Sequence, residues 1–437
     1  MSKNSKISHF FRVLSVILCS LAICSTFVSG GGGTDRGMMI VVVAGCLATL
    51  MTLVTVLLDR QVQLSRTWTL LLLAFLGWIW YSITQAVYFK DGFMWAGVWT
   101  AVLGLSFSVH YLARGKLSGF FQGIFLLSCL LSLAVSYTEL QHINFPLQKE
   151  LVPNPNSPAL TGPYFNAAHF GGYLIFCNAL LMGTLLFRRF HWYTLPVLGL
   201  LVYANWISFK TDSSSIPVVL LTLPIMLLLW VISKNWKVGA ALTAVAVGVG
   251  VWGASFFISP AGQQWFENNK QHIGLNNSWS KFLEGRTAVW DYGKRIWNDH
   301  TLTGAGVGQF AVLSPVYRRD PRVTTASVDQ QFVNYAHSDS LQIGSELGWV
   351  GIALFAALLL YTLIHGLKTR KTETLIAAGA VLGYLLSGIY DAHITAIPAT
   401  MLVFYAFLGL AHHKPVQVSS LMVDSGTSSR KIERTER

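Results

Sequence analysis

The chain has 437 residues, of which 53% are hydrophobic and only 11% charged. Soluble globular proteins carry roughly 25% charged residues, so a water-soluble two- or three-domain protein is excluded and a chain folded in lipid is expected. The net charge of +12 forms no concentrated basic stripe with interleaved aromatics, which argues against a nucleic-acid partner.

A membrane-crossing helix needs about 20 mostly apolar residues, because the hydrocarbon core is roughly 30 Å thick. About twelve segments meet that rule: 10–30, 38–58, 68–89, 93–112, 120–137, 164–187, 193–209, 216–233, 238–258, 349–366, 374–390 and 394–411. Basic residues precede the first, as in a secretory leader. The small-residue cleavage pattern around 25–33 is poor, however, so it reads as a span. The expected fold is therefore all-α and polytopic.

Orientation follows from the excess of Lys and Arg in cytoplasmic loops. With the N-terminus inside, Lys3, Lys6, Arg12, Arg60, Arg66, Arg114, Lys116, Arg188, Arg189, Lys234, Lys237, Lys368, Arg370 and Lys371 all fall on the inner side. The tail, with Lys414, Arg430, Lys431, Arg434 and Arg437, falls there too. Short outer loops hold one basic residue each or none. Both termini are expected in the cytoplasm. The 15 Trp and 15 Tyr suit interfacial belts. The five cysteines lie inside apolar segments without metal-ligand spacing and read as small core hydrophobes. No cofactor motif is present.

Two outer loops exceed a tight turn: 138–163, with five prolines, and 259–334. Loops beyond about 12–15 residues are usually functional or disordered. The second holds Trp265, Trp279, Trp290 and Trp297, so it should fold on the membrane surface. Within it, 284–297 predicts an amphipathic helix with Arg286 in its first turn. Next, 301–310 places Gly304, Gly306 and Gly308 at alternate positions, which permits a tight turn and close backbone approach to a ligand. Arg318, Arg319 and Arg322 follow, and guanidinium forks suit phosphate oxygens, although a solvated charge run reads equally well there.

The strongest local feature is 334–351, where polar residues run into an apolar span. A helix starting at Ser338 would put Asp339, Gln342 and Glu346 on one face, with His337 at its mouth. Such a stripe is costly in a membrane unless it lines a cavity. Asn166 and His169 open the sixth span, Lys210 and Asp212 lie between the seventh and eighth, and Asp391 and His393 lie between the last two. By the charge rule all face outward, where chemistry needs an activated donor delivered through the membrane. The chain thus divides into nine spans over 1–258, a large periplasmic loop over 259–348, three spans over 349–411, and a tail over 412–437 whose composition predicts disorder.

HSDSLQIGSELGWVG (337–351) resembles the His-polar-x-x-Leu-Gln-x-x-x-Glu-x-Gly-x-x-Gly signature of the O-antigen ligase and polymerase superfamily. GRTAVW (285–290) and LTGAGVG (302–308) are similar to that family's preceding helix and glycine turn, in the same order. GPYFNAAHFGGYL (162–174) resembles the Asn-containing start of its mid-chain helix. The resemblance implies an all-helical membrane protein whose partly helical periplasmic loop covers a cavity, in a bacterial inner membrane. It implies transfer of glycan from undecaprenyl diphosphate to an acceptor hydroxyl, without metal or cofactor. Arg286 would bind the donor diphosphate and His337 would activate or orient the hydroxyl. An imidazole suits that role because it titrates near neutral pH. Asn166, His169, Asp339, Gln342 and Glu346 would line the substrate cavity. The family's Ser-Arg pair after the seventh span is here KTDSSSIP (210–217). Lys210, Arg318 or Arg319 would have to supply the missing cation.

Three acceptors fit: lipid A core (a ligase, the reading the loop motif favours), a second lipid-linked glycan (a polymerase), or a protein hydroxyl. A transporter would also explain twelve helices, but secondary transporters usually show repeated halves with broken helices near the midplane. No repeat is visible, and the polar groups gather at one face. A purely structural subunit would leave the histidine and the long folded loop unexplained.

Overall fold

The computed structural model of the protein describes residues 3–28, 30–59, 64–143, 151–152, 157, 159–188, 192, 194–211, 213, 215–269, 279–318 and 333–412. The helices are α1 (Lys3–Cys24), α2 (Asp35–Leu58), α3 (Arg66–Ser82), α4 (Phe89–Leu112), α5 (Lys116–Leu140), α6 (Ala167–Phe187), α7 (Thr194–Lys210) and α8 (Ile216–Lys234). They continue as α9 (Trp236–Ile258), α10 (Pro260–Asn269), α11 (Trp279–Asp299), α12 (Phe310–Tyr317), α13 (Asp339–Thr369), α14 (Thr372–Ser387) and α15 (Pro398–Ala411). Among the described residues the extended backbone pairs only at one bridge, Gly30 to Tyr164. The fold is all-α. Arg319, Arg322, Asp212 and the tail beyond His412 lie outside the described residues.

Each of the twelve apolar segments is helical over most of its length. Among the described residues eight helices are long and apolar enough to cross a membrane: Ile7–Phe27, Asp35–Leu58, Arg66–Gln85, Phe89–Leu112, Lys116–Leu140, Ala167–Phe187, Ile216–Lys234 and Asp339–Thr369. Thr372–Ser387 and Pro398–Ala411 are shorter. Leu21, Leu57, Leu70 and Val202 are 60%, 85%, 67% and 63% exposed. Such outward apolar side chains would promote aggregation in water and are at home against lipid tails. The chain is an integral membrane protein. The five cysteines are all free and lie on or at the ends of these helices.

At the centre stands α15, buried along its whole length and packed on α4, with Ser106 Oγ donating to the Tyr405 carbonyl. Its 14 residues reach only about 21 Å at 1.5 Å each, short of the hydrocarbon thickness. The apolar runs alone place the start of this helix at 394 and the end of the preceding one at 390. Instead residues 388–397 form an irregular, mostly buried connection. Backbone of that kind persists at membrane depth only inside protein, where its polar groups find partners. Here Asp391 N donates to Ser387 O, Ala396 N to Ala392 O, and Ile394 N to Asp339 Oδ1.

The second irregularity lies in α13, which begins at Asp339, as expected for a helix starting after Ser338, ten residues before the apolar run alone suggested. Gly348 breaks it, with φ 65° and ψ −166°. A break frees backbone donors and acceptors, and the glycine turn after α11 takes them up. Trp349 N donates to Thr301 O at 3.0 Å, Val350 N to Leu302 O at 3.3 Å, Ala305 N to Ser345 O at 2.9 Å and Gly306 N to Glu346 O at 2.9 Å. The Leu347 carbonyl accepts from Trp78 Nε1 at 2.9 Å. The approach is so close that a Cβ on Gly304 would run into the Glu346 backbone, and one on Gly348 into Leu302. Both glycines have positive φ, where any other side chain is strained. This fastens the loop to the membrane helices. The alternate glycines serve the tight turn and the close approach of the loop to other segments of the chain.

Candidate active site

The loop ahead of α13 carries His337 with φ 47°, a left-handed conformation uncommon outside glycine and held here from four helices. The His337 carbonyl accepts from Trp290 Nε1 of α11 at 3.1 Å. Ala336 N donates to Gln342 Oε1 of α13 at 2.7 Å. Ser338 Oγ donates to the Gly388 carbonyl at the end of α14 at 2.8 Å. Tyr335 packs its ring 4.4 Å from that of His337, and its hydroxyl lies 3.0 Å from His169 Nε2 of α6. Strained backbone persists where its surroundings over-determine it, often at functional sites.

His337 Nδ1 lies 3.4 Å from Asp391 Oδ1; the imidazole is 30% exposed and the carboxylate 1%. Asp391 Oδ1 also accepts from Ala392 N at 2.9 Å. Its Oδ2 lies 3.6 Å from His393 Nε2. Burial, the largest influence on Asp391, pushes its carboxyl up. The imidazoles of His393, His337 and His169 outweigh burial and hold it below the usual carboxylate range. Burial likewise lowers His393, against the pull of Asp391. Its Nε2 is 3.1 Å from the Ala168 carbonyl and its Nδ1 is 3.2 Å from Ser387 Oγ. This network assigns the proton to Nε2. Ser215 Oγ is 3.4 Å from the same nitrogen, and Gly172 makes room for the ring, since a Cβ there would meet it.

Arg286 of α11 donates from Nε to the Tyr390 carbonyl at 3.0 Å. Its charge reaches two phenols of the cluster: burial pushes Tyr335 up, Asp391 adds to that, and Arg286 opposes it. Tyr390 is raised by burial in the same way, with Arg286 again opposing. One two-residue step, Tyr390–Asp391, therefore receives the guanidinium on its carbonyl and the imidazole on its carboxylate. A cation and a part-exposed base, set side by side at the end of buried helices, suit the polarisation of an anionic leaving group and the removal of a hydroxyl proton.

The other residues singled out from sequence take varied places. Asp339 is buried; its Oδ1 accepts from Thr395 Oγ1 at 2.6 Å and from Ile394 N. Gln342 links Ala336 N to Glu346, donating from Nε2 to Glu346 Oε1 at 2.8 Å. That same oxygen accepts from Phe310 N at 3.1 Å, anchoring the start of α12. All three residues of the stripe thus hold the site's backbone together. His169 is buried against Tyr335. Asn166 is exposed and caps α6, accepting from Ala168 N at 2.7 Å. Lys210 is exposed at the end of α7, its ammonium 5.6 Å from the Trp206 ring centre. Arg318 ends α12 beside Tyr292, whose phenol burial pushes up to about 12 against the arginine's charge.

Asp391 and His393 were visible in sequence as boundary polar groups without a role; their signal was an ionisable pair at the foot of an apolar span. Tyr335, Ser215 and the Tyr390 carbonyl carried no such signal. A family model described as O-antigen ligase matches residues 200–356, which contain the signatures at 285–290, 302–308 and 337–351. Among curated proteins none matches the chain.

Proposed function

We propose, from the O-antigen ligase and polymerase superfamily that the family match supports, that this membrane protein is a glycan transferase of the ligase type. It moves glycan from undecaprenyl diphosphate to an acceptor hydroxyl at the periplasmic face of a bacterial inner membrane, both termini being cytoplasmic. The observation that carries this reading is the pairing of His337 with Asp391 beside Arg286, on one step of backbone.

In the proposed reaction the acceptor hydroxyl gives its proton to His337 Nε2 as its oxygen attacks the anomeric carbon of the donor. The bond from that carbon to the phosphate oxygen breaks, and its electron pair leaves with the lipid diphosphate. Nδ1–H faces Asp391, which fixes the tautomer with Nε2 free to accept and stabilises the imidazolium as it forms. Arg286 meets the charge growing on the diphosphate, its planar guanidinium being the geometry that suits phosphate oxygens. Lys210, Arg318 and Arg319 are proposed as supplementary cations for the donor, and Asn166, with the α6 start it caps, as part of the acceptor side. Asp339, Gln342, Glu346 and His169 contribute by holding the loop. No metal is assigned to any step.

The test uses purified protein in nanodiscs with undecaprenyl-diphosphate-linked glycan and EDTA. Lipid A core, a second lipid-linked glycan or an acceptor protein is offered in turn, and release of lipid diphosphate is followed. Release with lipid A core that is lost in folded His337→Ala supports the ligase. Release only with the second lipid-linked glycan or the protein would make it a polymerase or a protein glycosyltransferase. Glycan remaining on its lipid with all three acceptors would refute transfer.

A further inference from the structure

His337 is tied at two points, its carbonyl to Trp290 and its Nδ1 to Asp391. Nδ1 is bonded to the carbon that joins the ring to its chain, so these ties alone let the imidazole rock about that edge and carry Nε2 away from an acceptor. A third contact opposes this. The Tyr335 ring lies 4.4 Å from the imidazole, at an angle of 51°. Tyr335 is itself pinned at its far end, with its hydroxyl 3.0 Å from His169 Nε2 and the two rings 5.9 Å apart. His169 is 8% exposed and belongs to the first turn of α6, a helix buried over most of its length. A support thus runs from α6 through His169 and Tyr335 to the His337 ring.

We propose that Tyr335, held by His169, is a positioning residue for the transfer reaction: its ring sets the tilt of the His337 imidazole and stabilises the imidazolium that forms during transfer. This role rests on the glycan transfer proposed above. An aromatic face attracts a cation within about 6 Å of its centre, and the imidazole falls inside that range. Burial and Asp391 push the Tyr335 phenol well above its usual range, so the group stays neutral and the attraction comes from the ring, not from a phenolate. Only the protonated imidazole gains from it. The contact is therefore stronger in the transition state than with the substrates merely bound, which is the condition for raising kcat. The charged and titratable groups around the two rings include Asp391 and His393 of the 388–397 connection, His169 of α6, Asp339 of α13 and Arg286 of α11. All of them are kept when the ring at 335 alone is changed.

The experiment uses the full-length protein with isotope-labelled histidine in phospholipid nanodiscs, and the His337 signal is identified by its loss in His337→Gln. Position 335 is filled by phenylalanine and by its mono-, di- and trifluoro forms, which differ little in shape while fluorine withdraws charge from the ring face. Two quantities are followed against pH: the titration of the His337 signal without substrate, and release of lipid diphosphate from undecaprenyl-diphosphate-linked glycan with acceptor. Across the series the titration midpoint should fall by about 0.4–1.5 pH units, because the protonated imidazole loses support, and the acid limb of kcat should move to lower pH with it. At the plateau kcat should fall about 2- to 30-fold with KM for the donor unchanged. Tyr335→Phe and His169→Leu cut the same hydrogen bond from its two ends, so each should slow turnover by about 2- to 10-fold and the double variant should be no slower than the slower single one. Should His169→Leu fail to fold, the fluorinated series decides by itself. A midpoint that stays fixed across the series, a rise in KM in place of the fall in kcat, or losses that multiply in the double variant overturns the assignment. A midpoint that moves in a protein that releases no lipid diphosphate with any acceptor upholds the coupling of Tyr335 to His337 and overturns the transfer reading instead.

Discussion

Replacing Asp391 by Asn isolates what the carboxylate does for His337, since the shape of the side chain is kept and its charge removed. At 3.4 Å, two unit charges in surroundings of effective dielectric about 20 attract by roughly 5 kcal/mol. The imidazole is 30% exposed, so solvent screens part of this and about 2–4 kcal/mol is left to stabilise the imidazolium at the transition state. At about 1.4 kcal/mol per factor of ten, kcat should fall roughly 30- to 1000-fold. KM for the lipid-linked donor should change little, because the attraction matters only once the proton has moved. The assay is release of lipid diphosphate by purified Asp391→Asn, beside His337→Ala and the double variant. Residues that act as one unit are non-additive, so the double variant should be no slower than His337→Ala. The reasoning is refuted if Asp391→Asn keeps more than half the activity, or if the two losses multiply.

Four further outcomes are expected. Arg286→Lys keeps the charge but loses the planar fork; kcat should drop at least about tenfold through a lost charge-assisted hydrogen bond, and near-normal turnover would remove the diphosphate role. If Lys210 stands in for the missing arginine, Lys210→Arg retains activity and Lys210→Ala loses it, measured in the same assay. Gly304→Ala should cost about 2–4 kcal/mol, from a left-handed alanine and a clash with the Glu346 backbone, and would appear as a lower melting temperature or loss of folded protein. His393 is lowered by burial below the ordinary histidine value of about 6.5. Its contribution to stability is therefore complete above that value and lost as pH falls below it toward the folded value, because the unfolded chain then binds the extra proton. Thermal stability measured between pH 7.5 and 5 should decline for the unaltered protein and decline less in His393→Gln; equal slopes would count against this lowering by burial.

What was legible in the sequence follows from terms that act locally. The scarcity of charge and the length of the apolar runs determined that the chain folds in lipid as helices, because hydrocarbon leaves the backbone no partner but itself. Periodicity placed the helix of Trp290 with Arg286 in it, and the step from Ser338 into Asp339, Gln342 and Glu346 marked the true start of α13. What those residues touch was decided elsewhere. The polar stripe reads in sequence as a cavity lining; in the folded chain Asp339 does line a cleft, and Gln342 and Glu346 also satisfy backbone groups of the loop, which only the docking of residues 301–310 on the broken helix could establish. Where α14 ends and α15 begins lies three and four residues from the 390 and 394 that hydropathy indicates, since Ile389, Tyr390 and Ile394–Ile397 extend the apolar runs on either side of Asp391 and His393 while their irregular path depends on Asp339, Ser387 and burial. Asp391 meets His337 across 54 positions of chain, and Arg286 meets Tyr390 across 104. No local rule spans such distances. The identities of base and cation were carried by residue type and order; their juxtaposition came from the packing of α11, α13 and α14, which closes the long loop onto the membrane helices.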